Sequence, residues 1–410
     1  MSAGKVFTEL AVLVCALTFV GQSSSNLVIS QSYGGLYELS SLTEPATQDA
    51  EATLLETGKL MTRPIAGGQV HSYKFDASAG DFLSVVVEQH AVDVVVRLLA
   101  PNGKSIAQVD SPNGAYGPEP LLAIIDATGS YRLEVKTFPG GTTSGSYEIG
   151  LRELRKATQA DKDRVPIVWA AQHALDRGVQ LANQGPKSAA EALVAYEEAL
   201  GLWRQLNEPY WQGLSLANMA QIYGFLGALE KALEYYNQAL SLQKAATDNR
   251  GAAATLDALG EIYFQQGEKP KALDYFNQAL TLRRVAGDIR GEGLTLVGLG
   301  RVYSSIGETK KALDFFNQAL ALLKTTDDRG AEAVALGNIG KIYFHVGDLQ
   351  KALELYNRAL EIFVAVRNRS AEAKILIDIG SVYNDLGDKE KALDLFSKGL
   401  TSFRALGDGN

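Results

Sequence analysis

Gly300-Arg301-Val302-Tyr303-Ser304-Ser305-Ile306-Gly307-Glu308-Thr309-Lys310-Lys311-Ala312-Leu313-Asp314-Phe315-Phe316 decides the fold. Leu296, Leu299, Gly300 and Tyr303 follow the spacing i, i+3, i+4, i+7 and share one face of a helix. Ala312, Leu313, Phe316, Ala319 and Leu320 set out the same spacing again, on a second helix. The link between them is short and holds Gly307, a residue suited to closing a helix C-terminus. The stretch reads as a helical hairpin.

The same signal occurs five times. Tyr223, Tyr263, Tyr303, Tyr343 and Tyr383 are each 40 residues from the last. A small residue stands three positions before each: Ala220, Gly260, Gly300, Gly340 and Gly380. Gly227, Gly267, Gly307, Gly347 and Gly387 follow, then Lys-Ala-Leu-acidic, then Tyr236, Phe276, Phe316, Tyr356 or Phe396. Self-similarity at such a period means units that stack into a solenoid. A glycine inside a helix costs about 1 kcal/mol against alanine, so its return in four units points to packing. Gly300 and Ala312 leave room for two helix backbones to approach. Pro270 sits near a helix start, where its missing N–H costs little.

These residues resemble the tetratricopeptide repeat. The matched positions in the third unit are Leu299-Gly300, Tyr303, Ala312, Phe316 and Ala319. The usual period of that family is about 34 residues. The 40 here imply longer helices, as in the kinesin-light-chain-like variety, and the closing proline of the motif is absent. The resemblance covers roughly half of the chain. It implies an all-α superhelical solenoid that binds a protein or peptide along its concave face.

The 410 residues leave room for two or three domains. Charged residues make up 21% and the net charge is −8. No Lys/Arg cluster tracks phosphates, so no nucleic-acid partner is expected. Lys5 followed by the apolar run Leu10 to Gly21 and the polar Gln22-Ser23-Ser24-Ser25 reads as an export signal over residues 1–25. The run is too short to span a bilayer comfortably. An uncleaved membrane anchor is the alternative. Cys15, the only cysteine, lies in this run, so a cleaved protein would form no disulfide. The expected location is periplasmic or extracellular.

Residues 26–52 are Ser/Thr-rich and read as a flexible leader. From 53 to 152 the texture is β. Tyr131, Leu133 and Val135 alternate with Arg132, Glu134 and Lys136, the period of a half-buried strand. Gly67-Gly68, Gly80-Asp81, Pro101-Asn102-Gly103 and Pro112-Asn113-Gly114 break the runs. About seven or eight short strands at this spacing make an antiparallel sandwich. Gly68 to Tyr73, Val92 to Leu98 and Gly129 to Val135 are similar to the pre-peptidase C-terminal type of β-sandwich, which is not itself catalytic. The charged stretch from Leu151 to Arg164 is read as the start of the helical part. Residues 153–203 form a linker helix and a degenerate repeat, with Ala192, Tyr196 and Ala199 forty positions before Ala232, Tyr236 and Ala239. Residues 204–410 hold the five hairpins. The expected fold class is thus multidomain, an N-terminal antiparallel β-sandwich followed by an all-α tetratricopeptide solenoid.

Catalytic signatures are missing from the sequence. His71, His90, His173 and His345 form no His-Glu-x-x-His, and neither Gly-x-Ser-x-Gly nor Gly-x-x-x-x-Gly-Lys occurs. No catalytic residue, metal or cofactor is expected. Arg250, Arg290, Arg329 and Arg369 recur at repeat junctions beside Asp or Asn and read as structural loop pairs. The resemblance places the first helix of each hairpin on the concave face. The candidate partner-binding residues there are Asn218, Gln221, Asp257, Glu261, Arg301, Asn338, Lys341, His345 and Asp378. An asparagine there can both donate to and accept from an extended peptide backbone.

The reading is an exported, non-enzymatic scaffold for a protein or peptide partner. The alternative is the non-catalytic front of a CHAT-type protease-like protein whose catalytic domain is absent from this chain. Glycan binding by residues 53–152 is a third class, by analogy of fold alone. Leu393, Phe396, Leu400 and Phe403 form an apolar stripe on the last helix and predict self-association there.

Overall fold

The computed structural model describes residues 52–111, 116–138, 144–326 and 328–408. The expected export signal, Cys15 and all but the last residue of the leader lie outside them. Among the described residues no helix is long and apolar enough to cross a membrane. The chain is multidomain: a β-region over residues 53–156 precedes twelve described α-helices.

Among the described residues nine strands form two sheets. They are β1 (Thr53–Leu54), β2 (Leu60–Ala66), β3 (Val70–Ala77), β4 (Asp81–His90), β5 (Val94–Leu99), β6 (Ser105–Val109), β7 (Tyr116–Ile124), β8 (Gly129–Thr137) and β9 (Ser144–Lys156). One sheet has the order β1-β3-β8-β5-β6, the other β2-β9-β4-β7. All neighbours are antiparallel except β1 and β3. The period-2 pattern of β8 works as expected: Tyr131, Leu133 and Val135 are buried while Arg132 and Glu134 are half-exposed. They meet Leu83, Val85, Leu121 and Ile149 of the other sheet in one core. Full burial of each such side chain is worth about 1.5–3 kcal/mol.

The helical part begins later than the charge of 151–164 predicts. β9 continues to Lys156, pairing Arg155 with Phe82 and Lys156 with Asp81. The charged residues lie on a strand because one face of it is solvated. The next helix is α1 (Gln159–Asn183). Thr158 and Asp161 form a capping box there, and Arg155 pairs with Asp161 at 2.6 Å. β7 is an edge strand carrying Pro118 and Pro120, residues that such a position tolerates. Trp169 Nε1 of α1 donates to the Leu122 carbonyl at 3.1 Å, and Gln172 Nε2 to that of Pro120 at 3.2 Å. The helix thereby satisfies two carbonyls of that edge.

α1 pairs with α2 (Ala189–Gln205), and the described residues from 52 to 184 and 188 to 208 make one compact unit. The second unit, residues 209–410, carries the five hairpins, described to residue 408: α3 (Pro209–Phe225) with α4 (Leu229–Ala245), α5 (Asn249–Gln265) with α6 (Lys269–Val285), α7 (Ile289–Ser305) with α8 (Thr309–Leu323), α9 (Arg329–His345) with α10 (Leu349–Ala365), and α11 (Arg369–Asp385) with α12 (Lys389–Asp408). In most units two 17-residue helices and two three-residue links make up the period of 40. Asp248, Asp288, Asp328 and Asn368 cap four first helices, each accepting from the backbone N–H three residues on. The turn glycines, such as Gly307 at φ +83°, adopt the left-handed conformation that ends each first helix.

Candidate functional site

Every candidate partner-binding residue lies on one of the first helices of the second unit. The floor beneath them is apolar: Leu256, Leu259, Leu296, Leu299, Leu336 and Ile339 are buried at the i, i+3 positions. The intervening positions carry the polar groups, and the fixed period of 40 stacks them from one repeat to the next.

Glu261 and Arg301 stand one repeat apart and meet in a two-pronged pair, Nη1 to Oε2 at 2.8 Å and Nη2 to Oε1 at 3.1 Å. Glu261 is only 6% exposed, and the Arg301 guanidinium also lies 5.1 Å from the centre of the Phe264 ring. A fork-on-carboxylate pair of this kind is stiff and directional. It ties α5 to α7 and holds the two charges to one another.

Asp257 is likewise drawn into structure. Its carboxylate accepts from Thr295 Oγ1 at 2.8 Å and from Arg283 Nη2 of α6 at 3.0 Å. Arg283 also pairs with Asp288, the cap of α7. Burial pushes the Asp257 carboxyl up to about 6, and Arg283 holds it back from rising further. Asp257 therefore joins repeats two and three rather than facing a partner.

The junction arginines follow the same logic. Arg250 Nη2 donates to the Ala286 carbonyl at 2.8 Å and its Nη1 approaches Asp288 at 3.5 Å. Arg290 Nε pairs with Asp328 at 2.6 Å. Each reaches the cap of the next first helix, so the structural reading of these two holds. Arg329 turns instead to Glu332 of its own helix.

The charges that stay available lie on α9 and α11. Lys341 is exposed, and among the described residues neither it nor Lys374 makes an ion pair. Asp378 sits between them electrically: burial raises its carboxyl, while Lys374 and Lys341 pull it down. The Lys374 amine is lowered by desolvation, with Arg301 and Lys341 adding to the effect and Asp378 and Glu261 opposing it. The five groups thus share one field across α5, α7, α9 and α11. Lys374 was not among the expected residues. Its position four before Asp378 is a helical-face signal that could have found it.

The remaining candidates are less connected. Asn338 Nδ2 donates to the Val334 carbonyl of its own helix at 2.8 Å, leaving the carbonyl oxygen and one N–H for a partner. His345 is exposed at the end of α9, with its imidazole lowered by partial burial and by Lys341. Asn218 and Gln221 are half-buried on α3 and make no hydrogen bond with the charged group. Among the described residues no cluster of three His, Cys, Asp or Glu side chains could hold a metal ion.

A family model described as tetratricopeptide repeat matches residues 184–245, 215–285, 251–325 and 331–405, together more than half of the chain. Among solved structures, BtubC (BKLC) from P. vanneervenii is similar at 17% identity and a TM-score of 0.42, over 61% of this chain and 93% of that one. Kinesin light chain TPR-like repeats from Podosopora anserina are similar at 16% identity and a TM-score of 0.38, over 50% and 97%. NprR in complex with its cognate peptide NprX is similar at 16% identity and a TM-score of 0.43, over 58% and 67%. A search of curated proteins found no match.

Proposed function

The chain belongs to the tetratricopeptide-repeat family, and from that premise we propose that it is an exported, non-enzymatic scaffold holding a protein or peptide segment along its first-helix face. The observation that carries the reading is the pair of unpartnered amines, Lys341 and Lys374, on neighbouring first helices beside Asn338. They adjoin a floor already stiffened by Glu261 and Arg301. A face that is rigid before binding loses little entropy on binding. With Arg301, Lys341 and Lys374 set against Glu261 and Asp378, the shared field keeps one net positive charge; it favours an extended segment with an acidic side chain, and Asn338 offers its amide to the backbone of that segment.

Export completes the reading and rests on Lys5 and the apolar run from Leu10 to Gly21. The β-region is read as a sandwich of the pre-peptidase C-terminal type that serves as a non-catalytic accessory. Self-association through α12 is the remaining part of the reading. One experiment tests the core of the proposal. The full chain is recovered from envelope or culture fluid, its N-terminus is sequenced, and it is presented with an array of extended peptides. Acidic peptides should bind and weaken with salt. Lys341→Glu with Lys374→Glu should reduce their binding at least tenfold. Unchanged binding by that double variant would remove the face from consideration.

A further inference from the structure

The strand-containing unit holds a basin that the peptide-binding reading does not use. It has a volume of about 490 Å³ and is lined by Arg63, Ile65, Gln69, His71, Ser144 and Gly145 among others. Arg63 lies on β2 in step with buried Ile65, two residues on, so it faces the space between the sheets. His71 lies on β3 in step with buried Tyr73 and Phe75, so it faces the same space from the other sheet. The basin is therefore the mouth of the sandwich.

A buried chain of hydroxyls fixes what His71 presents there. Its Nδ1 lies 2.7 Å from the Tyr147 hydroxyl, which lies 2.6 Å from that of Tyr73. Both tyrosines are fully buried. If His71 Nδ1 carried a hydrogen, Tyr147 would donate to Tyr73, and the Tyr73 hydrogen would be buried without an acceptor. An orphaned buried donor costs about 1–3 kcal/mol. The satisfied direction is Tyr73 donating to Tyr147 and Tyr147 donating to His71 Nδ1, which leaves a neutral ring with its hydrogen on Nε2. Burial and the nearby Arg63 charge both lower the imidazole, in the same sense as the hydroxyl chain.

The rest of the lining also donates. Gln69 Oε1 accepts from the Ala66 N–H at 2.8 Å, which leaves its amide N–H groups free. Arg63 has one weak contact, 3.5 Å to Thr53 Oγ1, and among the described residues no ion pair. None of the described lining residues is acidic. A half-buried guanidinium without a counter-charge, beside two neutral donors, is a site short of one negative charge.

We propose that this basin binds a monocarboxylate of sugar-acid size through Arg63, His71 Nε2–H and the Gln69 amide. The single cation matches one negative charge, whereas a phosphate dianion would call for a second. The volume lies within the range of small-molecule sites, about 300–1,000 Å³, and exceeds what acetate would fill.

The test is a titration of the full chain with glucuronate, read on the histidine ring resonances, with glucose and inorganic phosphate as comparison probes. Glucuronate should shift the His71 signal and raise its apparent pKa by about one unit, as a bound anion favours the imidazolium. His90 and His173 should stay still. Glucose should do nothing, and phosphate should bind at least fivefold more weakly. Arg63→Gln should abolish the shift. Arg63→Lys keeps the charge and loses the fork, so it should weaken glucuronate about fivefold; this arm stands even if the glutamine variant fails to fold. The proposal is overturned by an unmoved His71, by equal effects of glucose or phosphate, or by full binding in both Arg63 variants.

Discussion

At the scale of single residues, the repeated glycine makes room for a ring rather than for a backbone. A Cβ at Gly300 would stand 2.5 Å from the Phe316 ring, and one at Gly340 or Gly380 would stand 2.9 or 2.8 Å from Tyr356 or Phe396. The degenerate unit uses the same device, since a Cβ at Gly178 would stand 2.5 Å from Tyr196. That glycine escaped the sequence reading because the link before α2 is longer and shifts it out of the 40-residue register. Overpacking costs about 1–3 kcal/mol, more than the helix propensity that alanine gains, so Gly300→Ala should destabilise the chain in denaturant unfolding. Gly201 lies in α2 with open space around it. Gly201→Ala should therefore stabilise by about 0.5–1 kcal/mol. Equal effects of the two substitutions would refute this account. The Lys-Ala-Leu signal has its own reason, for Lys351 and Lys391 place their amines 4.1 and 3.9 Å from the centres of the Tyr343 and Tyr383 rings. The two halves of the motif recur together because they touch across the turn.

At the scale of elements, what matters is which helix face is covered. In inner repeats the aromatic of the second helix is enclosed: Phe276, Phe316 and Tyr356 are all within 3% of full burial. On α12 the equivalent Phe396 is half-exposed, as are Leu400 and Phe403, and Leu393 is exposed. Light scattering on the full chain should show a mass that rises with concentration, and Phe396→Glu should hold it at the monomer value. A concentration-independent monomer in both forms would refute self-association through α12. The junction between repeats two and three is the opposite case. There Arg283 is 9% exposed and carries both Asp257 and Asp288. Removing one partner of a buried ion pair costs about 3–5 kcal/mol because the other charge stays buried.

At the scale of the whole molecule, the first unit is sensitive to pH. Burial pushes Asp93 up to about 6, and Asp110 and Asp176 up to about 7. Glu119 is fully buried, accepts from Gln89 Nε2 at 2.8 Å and from the Ser111 N–H at 2.7 Å, and is raised well above the carboxylate range. The folded state keeps these protons where the unfolded state, with pKa values near ~4, has released them. Stability from these groups is complete below about pH 4 and is lost as pH rises through about 7. His71, lowered in the fold, opposes this weakly: its contribution is complete above about pH 6.5 and is lost as pH falls below that value. Protection of β4 to β8 in hydrogen exchange, corrected for intrinsic rates, should thus be greater at pH 5 than at pH 8. Asp110→Asn should shrink the difference. A unit more protected at pH 8 would contradict this.

The sequence by itself determined the class of each half. Period 40 with i, i+3, i+4 spacing allows only stacked hairpins, and period 2 between turn glycines allows only half-buried strands, because both follow from local backbone geometry. A fixed period also stacks equivalent positions of successive units, whereas the choice of the first helices as the binding face came only from the resemblance to the tetratricopeptide repeat. Only the tertiary structure decided which of those positions are free. Glu261 and Arg301 lie 40 residues apart and Asp257 lies 26 from Arg283, so their pairing depends on how neighbouring repeats approach, which no local pattern encodes. The basin at Arg63 and His71 was hidden for the same reason. Its residues come from opposite sheets, and the Tyr73–Tyr147–His71 chain that orients them exists only once the sheets have closed on one another.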